Sequence, residues 1–303
     1  MKRARLIYNP TSGREIIRKH LASVLEKLER GGYETSTHAT TCEGDAKHAA
    51  EWAVEQGYDV IIAAGGDGTL NEVVAGISHF EKRPKIGLIP TGTTNDFARA
   101  LHIPREIEEA VDIIVDGYSL PVDVGLMNGE RHFINIAGGG RITELTYEVP
   151  IKLKTMLGQL AYYLKGIEML PSIHASHVHI EYDGEVFDEE AMLFLVGLTN
   201  SIGGFEKLAP GASINDGKFT LLILRKCNIA EFIRVATNAL RGEHLNDPLV
   251  IHARASSIKI HSNDEVLLNL DGEYGGKLPA TFDNLERHIE IFAPSTALEQ
   301  YTK

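Results

Sequence analysis

Apolar residues in the first third of the chain alternate between short β-branched runs and stretches in which they recur every three or four positions. The short runs predict strands and the longer stretches predict helices. The predicted strands are residues 5–8, 33–39, 60–64 and 85–90, and the predicted helices are residues 16–28, 45–56, 70–77 and one starting near Asn95. A strand–helix rhythm of this kind predicts a parallel sheet covered by helices.

Beyond Pro121 the pattern changes, and strands predominate. The predicted strands are residues 122–125, 132–137, 178–182, 191–198, 219–224, 257–261, 266–270 and 289–292, and the predicted helices are 154–169 and 229–241. The pair Asp183-Gly184 is typical of a hairpin turn. This part of the chain therefore predicts a mainly antiparallel sheet.

These patterns predict two domains with a cleft between them. Residues 1–125 form an α/β domain with a parallel sheet, and residues 126–292 form a β-rich domain. The tail, 293–303, is expected to return to the first domain. A chain of 303 residues is long enough for both domains to bury a core.

Composition excludes several classes of function. The formal net charge of −12 argues against broad binding to nucleic acid or to anionic lipid. The chain has no apolar run of about 18 residues and no signal peptide at its start, so we expect a cytoplasmic protein. Cys42 and Cys227 are too far apart to suggest a metal cluster, and we interpret both as reduced packing residues.

Three turns that follow predicted strands of the first domain carry glycine or hydroxyl residues. They are NPTSG at 9–13, GGDG at 65–68 and TGTTN at 91–95. Backbone N–H groups that no side chain covers can approach phosphate oxygens, and the start of a helix favours anions. A single glycine pair is more often a tight turn. Three such turns at one sheet edge favour a phosphate site.

Asp67 lies within the second of these turns. A carboxylate among phosphate-binding N–H groups repels the ligand unless a cation lies between them. We therefore favour contact between Asp67 and Mg²⁺ over the alternative, helix capping.

The sequence GGDGTLNEVVAG at 65–76 resembles the nucleotide-binding motif of the diacylglycerol kinase catalytic domain family, which includes sphingosine kinases and is related to NAD kinases. NPTSG, PTGTTNDFARAL at 90–101 and DGEYGG at 271–276 extend the resemblance over nearly the whole chain. The resemblance implies that the first domain binds ATP. The implied nucleotide contacts are Asn9, Pro10, Thr11, Ser12, Gly13, Thr40, Gly65, Gly66, Asp67, Gly68, Thr69, Leu70, Asn71 and Thr93.

Phosphoryl transfer to an alcohol commonly uses a carboxylate to accept the hydroxyl proton. Asp271 and Glu273 follow a predicted strand, and alternation along a strand would place both on one face. Their pattern does not distinguish them from each other or from an acidic turn. The family resemblance selects Glu273 as the proton acceptor and, with Asp67, as a catalytic residue.

A second acidic turn contains Asp216. Composition favours a plain β-turn, whereas the resemblance implies a structural Mg²⁺ bound by Asp216 and by the carbonyls of Ser213 and Lys218. The resemblance implies a further Asp at position 215, where this sequence has Asn215. Asp96 is equally consistent with a helix N-cap and with a water-linked acidic network that includes Asp67, Asp216 and Glu273.

A lipid acceptor requires contact with a membrane. Lys152, Lys154 and Lys165 flank an apolar stretch that can lie on an anionic surface, although composition favours a core helix with solvated lysines. The histidines at 174, 177 and 179 lack a further ligand for zinc, so we interpret them as surface or packing residues.

The resemblance implies an enzyme that uses ATP and Mg²⁺ to convert diacylglycerol to phosphatidic acid, in phospholipid recycling. It also implies a homodimer that binds membranes transiently. The same motifs suit kinases for phosphatidylglycerol, a polyprenol, a sphingoid base or NAD. A nucleotide-binding module without catalysis is the alternative of a different class.

Overall fold

The computed structural model describes residues 1–140, 175–200, 208–209 and 211–301. Its contacts divide the chain into two compact units. The first comprises Met1–Val124 and Glu286–Lys303, and the second comprises Gly125–Leu285. The predicted helix at 154–169, the three lysines at 152, 154 and 165, and His174 lie outside the described residues.

The first unit contains a parallel sheet in the order β2-β1-β3-β4. Its strands are β1 (Lys2–Tyr8), β2 (Tyr33–Ala39), β3 (Val60–Gly65) and β4 (Lys85–Pro90). Every residue of β3 is buried, as expected for a strand whose two faces are both covered by helices. The predicted α/β class and parallel sheet are confirmed.

The helices of the first unit pack their apolar residues on this sheet. They are α1 (Ile16–Arg30), α2 (Asp45–Glu55), α3 (Asp67–Ile77), α4 (Asp96–Ala100), α5 (Ile107–Asp116) and a C-terminal helix, Ser295–Tyr301. In α1, Ile17, Val24 and Leu28 lie on the same face of the helix and are fully buried. Helix α5 was not predicted. Helix α3 begins three residues before its predicted start, because Asp67, Gly68 and Thr69 form its first turn.

The second unit is built mainly from antiparallel strands, of which the first and the last also extend into the first unit. They are β5 (Ser119–Met127), β6 (Arg131–Phe133), β7 (Ile136–Gly139), β8 (Ser176–Tyr182), β9 (Glu185–Gly197), β10 (Phe219–Arg225), β11 (Val250–Ala255), β12 (Ser257–Ser262), β13 (Leu267–Leu270), β14 (Glu273–Lys277) and β15 (Ala280–Phe292). The first half of β9 pairs with β8, and its second half lies between β7 and β10. The β-rich class predicted for this part is confirmed.

Two chain features of the second unit follow from local sequence. Asp183 and Gly184 join β8 to β9 with positive φ angles of 45° and 94°, as a two-residue hairpin requires. Helix α6 (Ile229–Arg241) begins with a capping box between Asn228 and Glu231.

Strand β15 begins in the second unit and ends in the first, where Ile291 pairs with Ile86 of β4 in parallel. The returning segment therefore starts at residue 286 and not at residue 293, because the end of β15 completes the parallel sheet.

Within the described residues, no helix is both long and apolar enough to span a bilayer. Cys42 and Cys227 do not form a disulfide bond with each other. Cys227 is partly buried, but Cys42 is exposed, so its interpretation as a packing residue was wrong.

Candidate functional site

Four segments of the first unit lie side by side at the carboxyl ends of the parallel strands. Thr40 follows β2, Asn9 follows β1, Gly65 ends β3 and Thr91 follows β4. Backbone hydrogen bonds join neighbours along this edge: Thr40 donates to Tyr8 O, Asn9 to Ala64 O and Thr91 to Gly65 O, each at 2.9 Å. The topology therefore brings together the three glycine or hydroxyl turns, as predicted. The topology also places Thr40 at this edge, although no spacing in the sequence indicates that position.

The turn after β1 is shaped by Asn9. Its Oδ1 accepts from the backbone N–H of Thr11 at 3.0 Å and from the Thr11 hydroxyl at 2.9 Å. Gly13 has a φ of 55°, and a Cβ there would overlap the carbonyl oxygen of Thr91. Only glycine therefore allows this turn to approach the turn after β4.

The turn after β3 leads directly into α3. The backbone N–H groups of Asp67, Gly68 and Thr69 lie in the first helical turn, where an α-helix supplies no carbonyl partner. Gly68 is exposed, while the Thr69 side chain packs over Gly65. The positive end of α3 thus opens at the shared sheet edge and is suited to an anion.

Two buried polar atoms lie beside this edge. Among the residues that the structure describes, Asn71 Oδ1 and Thr91 Oγ1 are buried side-chain atoms with no hydrogen-bond partner. Buried polar groups normally have partners. Thr91 directly follows β4 and Asn71 lies in the second turn of α3, so a polar ligand at this edge could supply the missing partners.

Asp67 makes contacts of the capping type. Its Oδ2 accepts from the Thr94 hydroxyl and from Asp96 N, both at 3.1 Å, and its Oδ1 accepts from Phe97 N at 3.2 Å. The carboxylate thus binds the amino end of α4. Contact between Asp67 and Mg²⁺ stays a prediction.

The turn after β4 is held in place by the side chains of Asn95 and Arg105. Asn95, with a φ of 49°, accepts from Gly92 N at 3.0 Å and donates to Gly92 O at 2.8 Å. Arg105 donates to the carbonyls of Thr93 and Thr94 at 2.7 and 2.9 Å. These contacts fix the backbone and leave the Thr93 side chain exposed.

Helix α4 begins at Asp96, and its N-cap is Asn95. The interpretation of Asp96 as the N-cap was therefore wrong by one position. It is 8% exposed and forms an ion pair with Arg99 at 3.5 Å.

The segment at Thr40 is braced by the start of α2. Asp45 accepts from Thr41 N at 2.7 Å, from the Thr41 hydroxyl at 2.9 Å, and contacts His38 Nε2 at 3.0 Å. The hydrogen bonds from Thr41, followed by those involving His38, lower the pKa of the Asp45 carboxyl.

In the second unit, Asp271 and Glu273 occupy different structural positions. Asp271 and Gly272 form the two-residue turn between β13 and β14, with φ angles of 50° and 94°. The expectation that Asp271 and Glu273 share one strand face was therefore wrong, because the turn separates them. Glu273 is the first residue of β14 and is exposed.

The Asp271 carboxylate binds backbone rather than solvent. It accepts from the N–H groups of Ile134, Asn135 and Ile136 at 2.7, 2.9 and 2.8 Å. These contacts also explain why the strand predicted at 132–137 is broken into β6 and β7. Glu273 is the more exposed of the two acids, and its role as proton acceptor stays a prediction.

Asp216 lies in the loop that leads into β10. Its two carboxylate oxygens accept from Arg254 Nη2 at 2.7 and 2.6 Å. The same guanidinium group donates to the carbonyls of Gly211 and Lys218 at 2.9 and 3.3 Å. The Ser213 hydroxyl donates to Asn215 Oδ1 at 3.0 Å.

The loop therefore gathers oxygen atoms around a positive group, here a guanidinium. Carboxylate and carbonyl oxygens are also the ligands of Mg²⁺, so the donor set fits the predicted ion. The metal role of Ser213, Asp216 and Lys218 stays a prediction.

The remaining histidine pair lies on the polar face of β8. His177 Nδ1 and His179 Nδ1 contact Asp188 at 3.7 and 3.5 Å. In the described ranges, no group of three or more metal-ligating side chains is arranged to hold an ion.

Both parts of the chain match known families. Residues 3–127 match the diacylglycerol kinase catalytic domain, and residues 146–293 match the YegS C-terminal NAD kinase beta sandwich-like domain. Together with the full-length relatives below, these matches show that the chain belongs to the diacylglycerol kinase family.

The chain is 64% identical to a diacylglycerol kinase of Bacillus subtilis (strain 168) over 301 residues, which cover 99% of each sequence. It is 57% identical to a diacylglycerol kinase of Staphylococcus epidermidis (strain ATCC 12228 / FDA PCI 1200), covering 99% of this chain and 94% of the relative. A crystal structure of a diacylglycerol kinase from Bacillus anthracis str. Sterne has a TM-score of 0.78 at 28% identity and covers 98% of both chains.

Proposed function

We propose that this protein transfers the terminal phosphoryl group of ATP to the hydroxyl of diacylglycerol and so produces phosphatidic acid. The observation that carries the proposal is the convergence of three phosphate-type turns at the ends of β1, β3 and β4, in a chain 64% identical to a diacylglycerol kinase.

The first unit would bind the nucleotide. The N–H groups at the start of α3 and the turn at 9–13 suit the phosphates, since they present backbone donors that no side chain covers. Thr40 and Thr93 would add contacts along the same edge. Thr69 and Leu70 are buried, so their contribution would be made by backbone or by packing.

In the transfer itself, the hydroxyl oxygen of the lipid forms a bond to the γ-phosphorus, and the bond from that phosphorus to the bridging oxygen breaks. ADP leaves, and the hydroxyl proton passes to the carboxylate of Glu273. The exposure of Glu273 and the engagement of Asp271 with backbone support this assignment.

Mg²⁺ would be held with the triphosphate by the Asp67 carboxylate, and when bound it supplies charge neutralisation. Asp67 already lies at the start of α3 and orders the first residues of α4. A second ion would be held by Asp216 and by the carbonyls of Ser213 and Lys218.

The deciding experiment mixes the protein, γ-labelled ATP, Mg²⁺ and diacylglycerol micelles and measures labelled phosphatidic acid. Glu273→Gln is the matched control, because it keeps the size of the side chain and removes its basicity. Phosphatidylglycerol, a polyprenol, a sphingoid base and NAD are run beside diacylglycerol. If only another acceptor is labelled, that acceptor and not diacylglycerol is the substrate. If the protein binds ATP but labels no acceptor, it is a nucleotide-binding module without catalysis.

We also propose transient binding of a cytoplasmic protein to the membrane surface, because diacylglycerol stays in the bilayer. Lys152, Lys154 and Lys165 are the candidates from sequence. Reversing their charges should weaken binding to anionic vesicles and spare ATP binding. Unchanged vesicle binding would exclude this segment.

We propose a homodimer from the family resemblance. Light scattering of the protein as it elutes from a size-exclusion column tests this by measuring its mass.

A further inference from the structure

Arg254 holds together the last part of the loop that leads into β10, from Gly211 to Lys218. It extends from β11, where its backbone lies opposite Thr220 of β10. Its guanidinium contacts the Gly211 carbonyl within the loop, and the Asp216 carboxylate and Lys218 carbonyl next to β10. The loop is therefore closed by a cation that is fixed to a neighbouring strand.

The set of contacts is that of a site for a positive ion. One carboxylate and two carbonyls converge on the guanidinium, and two of these groups, from Asp216 and Lys218, are the predicted metal ligands. The Arg254 side chain is 23% exposed and that of Asp216 is 42% exposed, so water reaches this pair and other cations have access to the Asp216 carboxylate.

A metal ion and the guanidinium compete for the same oxygens. Both carboxylate oxygens of Asp216 accept from Nη2 of Arg254, and the same nitrogen donates to the Lys218 carbonyl. A divalent cation on these oxygens would lie beside a second positive charge at short range, which is strongly unfavourable.

We propose that Arg254 and a divalent cation bind the oxygens of this loop in turn, so that metal binding releases Arg254 and Arg254 holds the loop closed when metal is absent. The inference rests on the proposed function in one respect, the assignment of Asp216 to a metal. It adds a residue that sets the affinity of the loop for metal.

The consequence is a measurable loss of metal affinity in the wild-type protein. If the ion pair is closed about nine tenths of the time, the apparent affinity for metal falls about tenfold. Removing the guanidinium should raise the affinity for metal by the same factor and should make the metal-free loop less stable.

The test is a titration with Mn²⁺, followed by the EPR signal of the free ion, in the absence of ATP and lipid. The variants are Arg254→Gln, Arg254→Lys, and Arg254→Gln with Asp216→Asn. Arg225→Gln is the matched control, because Arg225 pairs with Glu189 on the same sheet and away from the loop sequence. Thermal unfolding with EDTA and with Mg²⁺ is measured for each.

Arg254→Gln should bind Mn²⁺ about tenfold more tightly than wild type, and Arg225→Gln should match wild type. The added Asp216→Asn change should remove the gained binding. In EDTA, Arg254→Gln should melt below wild type, and Mg²⁺ should raise its melting temperature more. Arg254→Lys keeps a charge but not the forked donors, so its Mn²⁺ affinity and its melting temperature in EDTA should lie between those of wild type and Arg254→Gln.

Equal Mn²⁺ affinity in wild type and Arg254→Gln would overturn the proposal, as would tighter binding that survives Asp216→Asn. These results are independent of catalysis. A protein that makes phosphatidic acid but shows equal affinities refutes only the role of Arg254, whereas tighter binding without phosphatidic acid refutes only the kinase activity.

Discussion

Gly92 lies so close to Gly66 that a Cβ atom at Gly92 would be 2.5 Å from the Gly66 Cα atom. Two turns that end β3 and β4 therefore touch through backbone alone. A Cβ atom at Gly92 would overlap backbone, whereas one at Gly66 would not, so the two positions should respond differently to alanine.

Gly92→Ala should destabilise the protein by about 1–3 kcal/mol, because the new atom can be relieved only by a shift of backbone. Nucleotide affinity should fall with it. Urea unfolding and calorimetric titration with ATP measure the two effects.

Gly66→Ala provides the comparison. Its Cβ would lie 3.5 Å from Gly92 Cα, an ordinary contact, and its φ of −91° suits alanine. Stability should stay close to wild type, while the methyl group at the start of α3 should weaken ATP binding. If Gly66→Ala binds ATP normally, this turn does not contact phosphate.

Asp67→Ala should lower stability by about 1–2 kcal/mol, because the amino end of α4 loses its acceptors, and should abolish turnover. Thr94→Val is the control: it removes one hydrogen bond to Asp67 and keeps the charge. It should retain turnover with a smaller loss of stability. Full turnover in Asp67→Asn would show that the charge has no role in binding metal with ATP.

Asp271→Ala should cost about 3 kcal/mol, because three backbone N–H groups lose their acceptor. Glu273→Gln keeps the size of an exposed side chain, so it should cost less stability than Asp271→Ala, and it should abolish phosphatidic acid formation. Asp183 offers a matched turn, since its carboxylate accepts from the N–H groups of Ser256 and Ser257. Asp183→Ala should therefore resemble Asp271→Ala in stability, and turnover per folded molecule should be kept. A Glu273→Gln protein with substantial activity would reject Glu273 as the base.

The Asp45 carboxyl should make stability depend on acid pH. Since its pKa is lowered in the folded state, chiefly by hydrogen bonds from Thr41, ionised Asp45 stabilises the fold above its ordinary pKa of about 4. This contribution is lost as the pH falls through the lowered value. The difference in unfolding free energy between wild type and Asp45→Asn should therefore shrink below about pH 4, as measured in urea. A difference that does not change with pH would contradict the assignment.

Much of the first unit was predictable because its strands are long apolar runs with strong turn residues after them. Residues 85–90 form a strand with the predicted bounds, and GGDG lies where the pattern placed it. The family motif, and not the spacing, was needed for Thr40, whose place depends on β2 lying next to β1.

Contacts between distant residues set the limit of prediction. The strand at 132–137 is interrupted because Asp271, far along the chain, accepts from residues 134–136. Arg254 reaches Asp216 from 38 positions away, and no local pattern marks such a pair. The strands β11 and β14 were missed because five or six mixed residues give a weak alternation.

Strand β15 makes the first unit discontinuous in the sequence. Residues 3–127 match the catalytic domain family, yet Ile291 pairs with β4 and Phe292 is buried in the first unit's core. An expressed fragment that stops at 127 would leave an open sheet edge and an empty pocket in its interior, and both favour aggregation. Splicing 286–303 onto that fragment through a short linker is the rational route to a minimal nucleotide-binding protein.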